Sequence, residues 1–196
     1  MAKKNTRNTR GKIVNAAWKL FYEQGYEDTT VEEIIELSQT SKGSFYHYFD
    51  GKDALLSTLS LLFDEKYEEL AGTIDPNLSA SDKLFFLNRE LFQMIEETID
   101  RHLIAYLYSS QLITKDKKSL ADKKRFYFKW LTEIIDDGIK SGEFKDTSTA
   151  EELMKIYALY ERAIIYDWAL FKGKYSLAEY SSKLLPHVLR TFVEGV

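Results

Sequence analysis

The sequence predicts an all-α fold in two parts, a small N-terminal three-helix unit followed by a larger helical bundle. Three observations predict it. Only two prolines, Pro76 and Pro186, and nine glycines interrupt 196 residues, so long stretches carry no helix breaker. Apolar residues recur at three- and four-residue spacing nearly throughout, and no segment alternates with the period of a strand. Asp75-Pro76-Asn77 gives the clearest break between the two parts.

The elements follow in order. Ile13, Ala16, Ala17, Leu20 and Phe21 form one stripe of a first helix that ends near Gly25. Thr30-Val-Glu-Glu33 is a capping box that opens a second helix, with Val31, Ile34 and Ile35 facing inward. A short third helix starts at Ser41. A fourth runs from about Asp53 to Ala71 and carries Leu55, Leu56, Leu59, Leu62 and Phe63. Ser79-Ala-Ser-Asp82, Thr149-Ala-Glu-Glu152 and Ser176-Leu-Ala-Glu179 each mark a later helix start. Segments 101–114 and 119–140 lie between them, separated by the charged turn Lys115-Asp-Lys-Lys118, and about nine helices result.

Segment 150–172 is apolar nearly all round, and segment 177–193 adds Leu177, Tyr180, Leu184, Val188 and Phe192. A helix without a polar face needs cover on more than one side. A second copy of the chain supplies it, so the bundle is expected to form a homodimer through these last two long helices. Pro186 is expected to bend or split the final helix.

Composition excludes several classes of function. There is no cysteine, hence no disulfide, thiolate or zinc–sulfur chemistry. His47, His102 and His187 are scattered, so no metal site is expected; no phosphate loop or nucleophile elbow appears. No enzyme and no cofactor is expected. The absence of a signal pattern or membrane-length apolar run points to the cytoplasm. Net charge is −4, yet residues 1–22 carry Lys3, Lys4, Arg7, Arg10, Lys12 and Lys19 and no acid. The first 52 residues sum to +1 and the remainder to −5. A basic arm on an acidic body grips phosphate locally, although a solvated lysine-rich tail looks the same in sequence.

The third helix has a distinctive geometry. At 100° per residue Phe45 and Phe49 share a face that packs inward, while Gly43, Ser44 and His47 lie opposite. Its start exposes unpaired N–H groups beside Ser41-Lys-Gly-Ser44, which suits phosphate. A polar face held rigidly by two phenylalanines is what a recognition helix needs in a major groove; an ordinary solvated surface helix is the bland alternative.

Gly25-Tyr26, Thr29-Thr30-Val-Glu-Glu-Ile34, Ser41-Lys-Gly-Ser-Phe-Tyr-His-Tyr-Phe49 and Lys52-Asp-Ala-Leu55, at these spacings, resemble the DNA-binding domain of the TetR family of bacterial transcriptional regulators. The resemblance covers roughly residues 9–56. It implies a helix-turn-helix DNA-binding domain over 1–51, a connecting helix over 52–74, and a ligand-binding and dimerisation domain over 75–196. It implies a homodimer on a palindromic operator in double-stranded DNA, repressing until a small-molecule effector releases it. Carried over residue by residue, Thr30, Tyr46, Tyr48 and Lys52 become phosphate contacts. Thr40, Ser41, Lys42, Gly43, Ser44 and His47 then lie at base edges or the flanking backbone. Where many family members place glycine second in the inter-helix turn, this chain has Ser38-Gln39, and a left-handed Gln39 costs about 1 kcal/mol.

The body shows no comparable motif. Tyr106, Phe126, Trp130, Tyr157, Tyr160 and Trp168 line a pocket for an apolar or aromatic effector, or are simply core. Glu161 and Asp167 suit a cationic ligand, but pairing with Arg162, another basic side chain or the dimer partner is the more ordinary expectation. The alternative to a regulator is a helical small-molecule or lipid sensor that does not bind DNA. The Ser41–Ser44 start, the basic arm and Lys52 argue against it.

Overall fold

The computed structural model describes residues 3–113 and 119–194, with side chains from Thr9 onward. The side chains of Lys3, Lys4 and Arg7 in the basic arm, and the turn 115–118, lie outside the described residues. Every regular element among the described residues is helical. The chain divides into two compact units, Met1–Ser60 with Tyr106–Leu120, and Leu61–Ala105 with Ala121–Val196.

The first unit is built on α1 (Lys3–Gln24), α2 (Val31–Ser38) and α3 (Lys42–Tyr48), which pack against one another. Ile13, Ala17 and Phe21 of α1, Ile34 of α2, and Phe45 and Phe49 at α3 form their shared core. Gly25 ends α1 at φ +89°, a conformation that side-chain-bearing residues seldom adopt. The sequence leads one to expect a single helix from Asp53 to Ala71. Instead α4 (Lys52–Leu56) stops, and α5 (Leu59–Thr73) begins after Ser57-Thr58. The Ser57 and Thr58 hydroxyls donate to the carbonyls of Ala54 and Leu55, at 2.6 Å each, a local alternative to continued helix bonding. Trp18 Nε1 donates to Thr58 Oγ1 at 2.9 Å and ties this break to α1.

The second unit is a bundle in which α6 (Ala80–Thr98) packs on α8 (Phe126–Lys140) and α10 (Leu177–Glu194). There α9 (Ala150–Leu170) also packs on both α8 and α10. The remaining helix, α7 (Arg101–Ile113), runs through the unit boundary at Ala105/Tyr106. Two helix starts are capped by carboxylates from distant segments. Glu143 accepts from the N–H groups of Ala80 and Ser81 at 2.7 and 2.8 Å, and Glu96 accepts from Ala178 N–H at 3.0 Å. Pro186 neither splits nor ends α10. Leu185 and Leu189 on either side of it are buried, and that burial outweighs one missing backbone hydrogen bond. Helix α8 starts at Phe126 rather than near 119, where a 3₁₀ turn, Ser119–Ala121, stands instead.

Candidate nucleic-acid interface and effector site

The reading surface is assembled from local caps. Thr30 forms a complete capping box: Glu33 N–H donates to its hydroxyl at 3.2 Å, while Thr30 N–H and hydroxyl both donate to the Glu33 carboxylate at 2.7 and 2.8 Å. These bonds hold the Glu33 carboxyl below the usual range, the Thr30 N–H contributing most. Any phosphate approaching Thr30 therefore competes with Glu33. At the other end of α2, Gln39 adopts φ +54°, ψ +42°, the left-handed geometry its position in the turn requires.

Ser41 caps α3, accepting from Ser44 N–H at 3.1 Å with its hydroxyl 2.9 Å from that of Ser44. Phe45 is fully buried and Phe49 nearly so, whereas Lys42, Gly43, Tyr46 and His47 are exposed and Ser44 and Tyr48 half-buried. A Cβ added at Gly43 meets nothing closer than Ser41 Oγ at 3.9 Å, so its backbone is open to an approaching surface. Lys42 Nζ lies 3.5 Å from Glu32 Oε1, both well exposed. Thr40 turns toward α2, its hydroxyl 2.8 Å from that of Ser38.

Lys52 stands apart from the other expected phosphate contacts. Its ammonium lies 4.3 Å above the Tyr26 ring and donates to the carbonyls of Tyr26 (2.6 Å), Glu27 (3.2 Å) and Thr29 (2.9 Å). An ammonium has three donors, and all three hold the α1–α2 turn. Tyr26 hydroxyl donates to Asp53, which secures the same turn from α4.

The expected effector residues do not form one group. Tyr106 belongs to the first unit: its ring lies 4.5 Å from that of Tyr26 and its hydroxyl donates to Glu27. Trp168 is buried at the end of α9, donating to the Tyr175 carbonyl at 3.0 Å with Gly173 against its ring. Phe126 and Trp130 pair with each other, and Trp130 meets Tyr67, which hydrogen-bonds Glu161; Glu161 is 3% exposed. Tyr127 hydroxyl donates to one carboxylate oxygen at 2.7 Å and Tyr67 hydroxyl to the same oxygen at 3.3 Å. Asn88 Nδ2 donates to the other at 3.0 Å. Ser181 hydroxyl donates to Asn88 Oδ1 at 2.5 Å and lies 2.8 Å from that of Tyr160. Tyr157, fully buried, donates to the Leu84 carbonyl at 2.8 Å.

Within the chain, the hydrogen-bond partners of Glu161 among the described residues are neutral. Arg125 is committed to Asp64, with Nε 3.1 Å and Nη2 3.0 Å from the carboxylate oxygens. Asp167 likewise accepts from Tyr175 hydroxyl at 2.7 Å. Burial pushes the Glu161 carboxyl above the usual range against the pull of its hydrogen bonds. Burial also drives the phenols of Tyr67, Tyr127 and Tyr157 well upward and pushes Tyr160 to about 12. Sequence reasoning missed Tyr67, Asn88, Tyr127 and Ser181. Asn88 alone left a signal, as a polar residue in the apolar stripe Leu84, Leu87, Leu91, Ile95.

A capped, exposed recognition helix on a three-helix core defines a helix-turn-helix DNA-binding protein. Residues 13–59 match the model of the family described as bacterial regulatory proteins, tetR family. Across 163 residues, 80% of this chain and 82% of the relative, it is 27% identical to an uncharacterised HTH-type transcriptional regulator, YhgD, of Bacillus subtilis. A TetR-family transcriptional regulator from Pectobacterium atrosepticum has the same fold, with a TM-score of 0.76, 18% identity and 98% of each chain covered. Thermus thermophilus FadR, a TetR-family repressor solved with lauroyl-CoA, matches at a TM-score of 0.72 and 23% identity, over 95% of this chain and 94% of that one. Residues 13–59 thus carry a tetR-family DNA-binding domain, and the chain as a whole has the fold of TetR-family transcriptional regulators.

Proposed function

We propose that the chain is a ligand-responsive repressor that binds a palindromic operator as a homodimer and releases it when a small molecule enters the body. One observation carries the DNA half of this reading: Phe45 and Phe49 are buried while Lys42, Gly43 and His47 face outward from a Ser41-capped helix. Ser41, Ser44, Tyr46 and Tyr48 complete the surface and mainly position the helix on phosphate. Lys52 acts through the turn it holds, setting the start of α2 and Thr30 against the backbone. Thr40 sets the approach to Ser41.

Dimerisation is supported by α9. Ile156, Leu159, Tyr166 and Leu170 recur along one side of it and are 38–62% exposed, an apolar stripe suited to a second copy. In the proposed mechanism effector binding changes the separation of the two recognition helices. These must meet successive major grooves about 34–36 Å apart, so a few ångströms of spreading loses one half-site. The effector has an apolar or aromatic body and sits among Phe126, Trp130, Tyr157, Tyr160 and Glu161.

The experiment is selection of bound duplexes from a random DNA pool by the purified protein. Enrichment of a palindrome is the expected result. No enrichment favours a helical sensor that does not bind DNA.

A further inference from the structure

We propose that Glu161 is the recognition point for an organic cation, so that the effector class is a positively charged molecule with an aromatic or apolar body. The inference deepens the ligand-responsive reading above and rests on it.

A buried carboxylate is costly to desolvate and is ordinarily answered by a buried arginine or lysine. Here it is answered by Tyr127, Tyr67 and Asn88, none of them charged. Asn88 is itself oriented by Ser181, which Tyr160 also meets. Five helices, α5, α6, α8, α9 and α10, thus converge on one negative charge. Arg125 cancels Asp64 instead, the two being 10% and 14% exposed. Among the described residues no salt bridge reaches Glu161, and this interior keeps an unbalanced carboxyl group. For stability alone, an apolar side chain of similar volume serves as well or better.

A second observation gives the ligand its character. Aromatic rings run from the edge of the unit to the carboxylate. Phe126 and Trp130 are half-buried, with centroids 5.7 Å apart. Trp130 stands 6.4 Å from Tyr67, and Tyr67 stands 4.9 Å from Tyr127. Aromatic faces carry negative potential and attract cations. A ladder of such faces ending at a desolvated carboxylate attracts positive charge along its length and repels an anion at its end. Opening between α5, α8 and α9 admits the ligand.

The test uses the purified full-length protein without DNA and two probes of nearly equal size and shape but opposite charge, tetraphenylphosphonium and tetraphenylborate, titrated by calorimetry. Wild type is expected to bind the cation at least about tenfold more tightly than the anion. Glu161→Gln is expected to lose that preference while still melting cooperatively. Trp130→Leu, a change at a half-buried ring, provides the second variant and is expected to weaken the cation selectively. Failure of wild type to bind tetraphenylphosphonium, equal binding of both probes, or unchanged cation affinity in both variants overturns the proposal. Duplex selection run alongside separates the two readings. A protein that selects its operator but ignores the cation defeats only this inference, whereas one that selects no duplex defeats the repressor assignment whatever the titration shows.

Discussion

Lys52 and Glu161 are both charged groups held by neutral partners, and they are held in opposite ways. The ammonium of Lys52 spends its donors on three backbone carbonyls within four residues of one turn. The carboxylate of Glu161 collects donors from side chains on other helices, 34 to 94 positions away in the chain. The first arrangement fixes backbone geometry and leaves the nearby α3 face outward and polar. The second fixes nothing locally and places the polar groups inside. A reader needs rigid backbone and exposed chemistry, whereas a sensor needs chemistry hidden until something displaces it.

The largest expected effect tests the rigidity of the reader. Phe45→Ala removes a fully buried ring and costs about 3–5 kcal/mol. Operator binding should vanish in a mobility-shift assay; retained binding would mean that α3 does not depend on its inner face. Next comes Lys42→Ala, which breaks only an exposed pairing with Glu32. Operator affinity should fall and the slope of its logarithm against the logarithm of salt should flatten by about 0.9. An unchanged slope removes Lys42 from the phosphate contacts.

Gly43→Ala separates folding from reading. The position is helical and open, so the methyl group should stabilise the reader by about 0.5–1 kcal/mol in thermal melts while weakening operator binding. Loss of both, or gain of both, contradicts an open backbone that meets DNA.

The smallest signal comes from the body. Burial raises the Glu161 carboxyl above its unfolded value, so the native state takes up a proton before the unfolded chain does as pH falls. Wild type should therefore gain stability relative to Glu161→Gln between neutral pH and the ordinary glutamate range, in paired urea melts. The groups facing Glu161 are Tyr67, Asn88, Tyr127 and Tyr157, with Tyr160 beyond them; Arg125 acts on the Tyr67 phenol and Arg162 on that of Tyr127. The phenols, raised by burial, stay neutral throughout that window. A difference that moves the other way means the carboxyl is held ionised, not held back.

The same contrast explains what was legible in the sequence. The Thr30 box, the Ser41 cap, the left-handed Gln39 and the inner pair Phe45 and Phe49 each arise within a few residues, and a reader of the chain can find them. The partners of Glu161 are brought together by tertiary packing across four other helices, which no spacing encodes. Tyr106 illustrates the same limit from the other direction: chosen as a body aromatic, it packs on Tyr26 instead. The stop between α4 and α5 escaped notice because Ser57 and Thr58 look like ordinary helix residues until their hydroxyls fold back onto the carbonyls three positions earlier. At Pro186 the helix does not split, because the buried leucines Leu185 and Leu189 anchor α10 on both sides.

The division of α3 between two anchoring rings and an outward side has a further consequence for how such proteins diversify. Lys42, Gly43, Tyr46 and His47 are all exposed, so exchanging them leaves the foundation of the helix intact. A lineage can therefore adopt new promoter targets by drifting at these positions, with little risk that a transitional variant fails to fold.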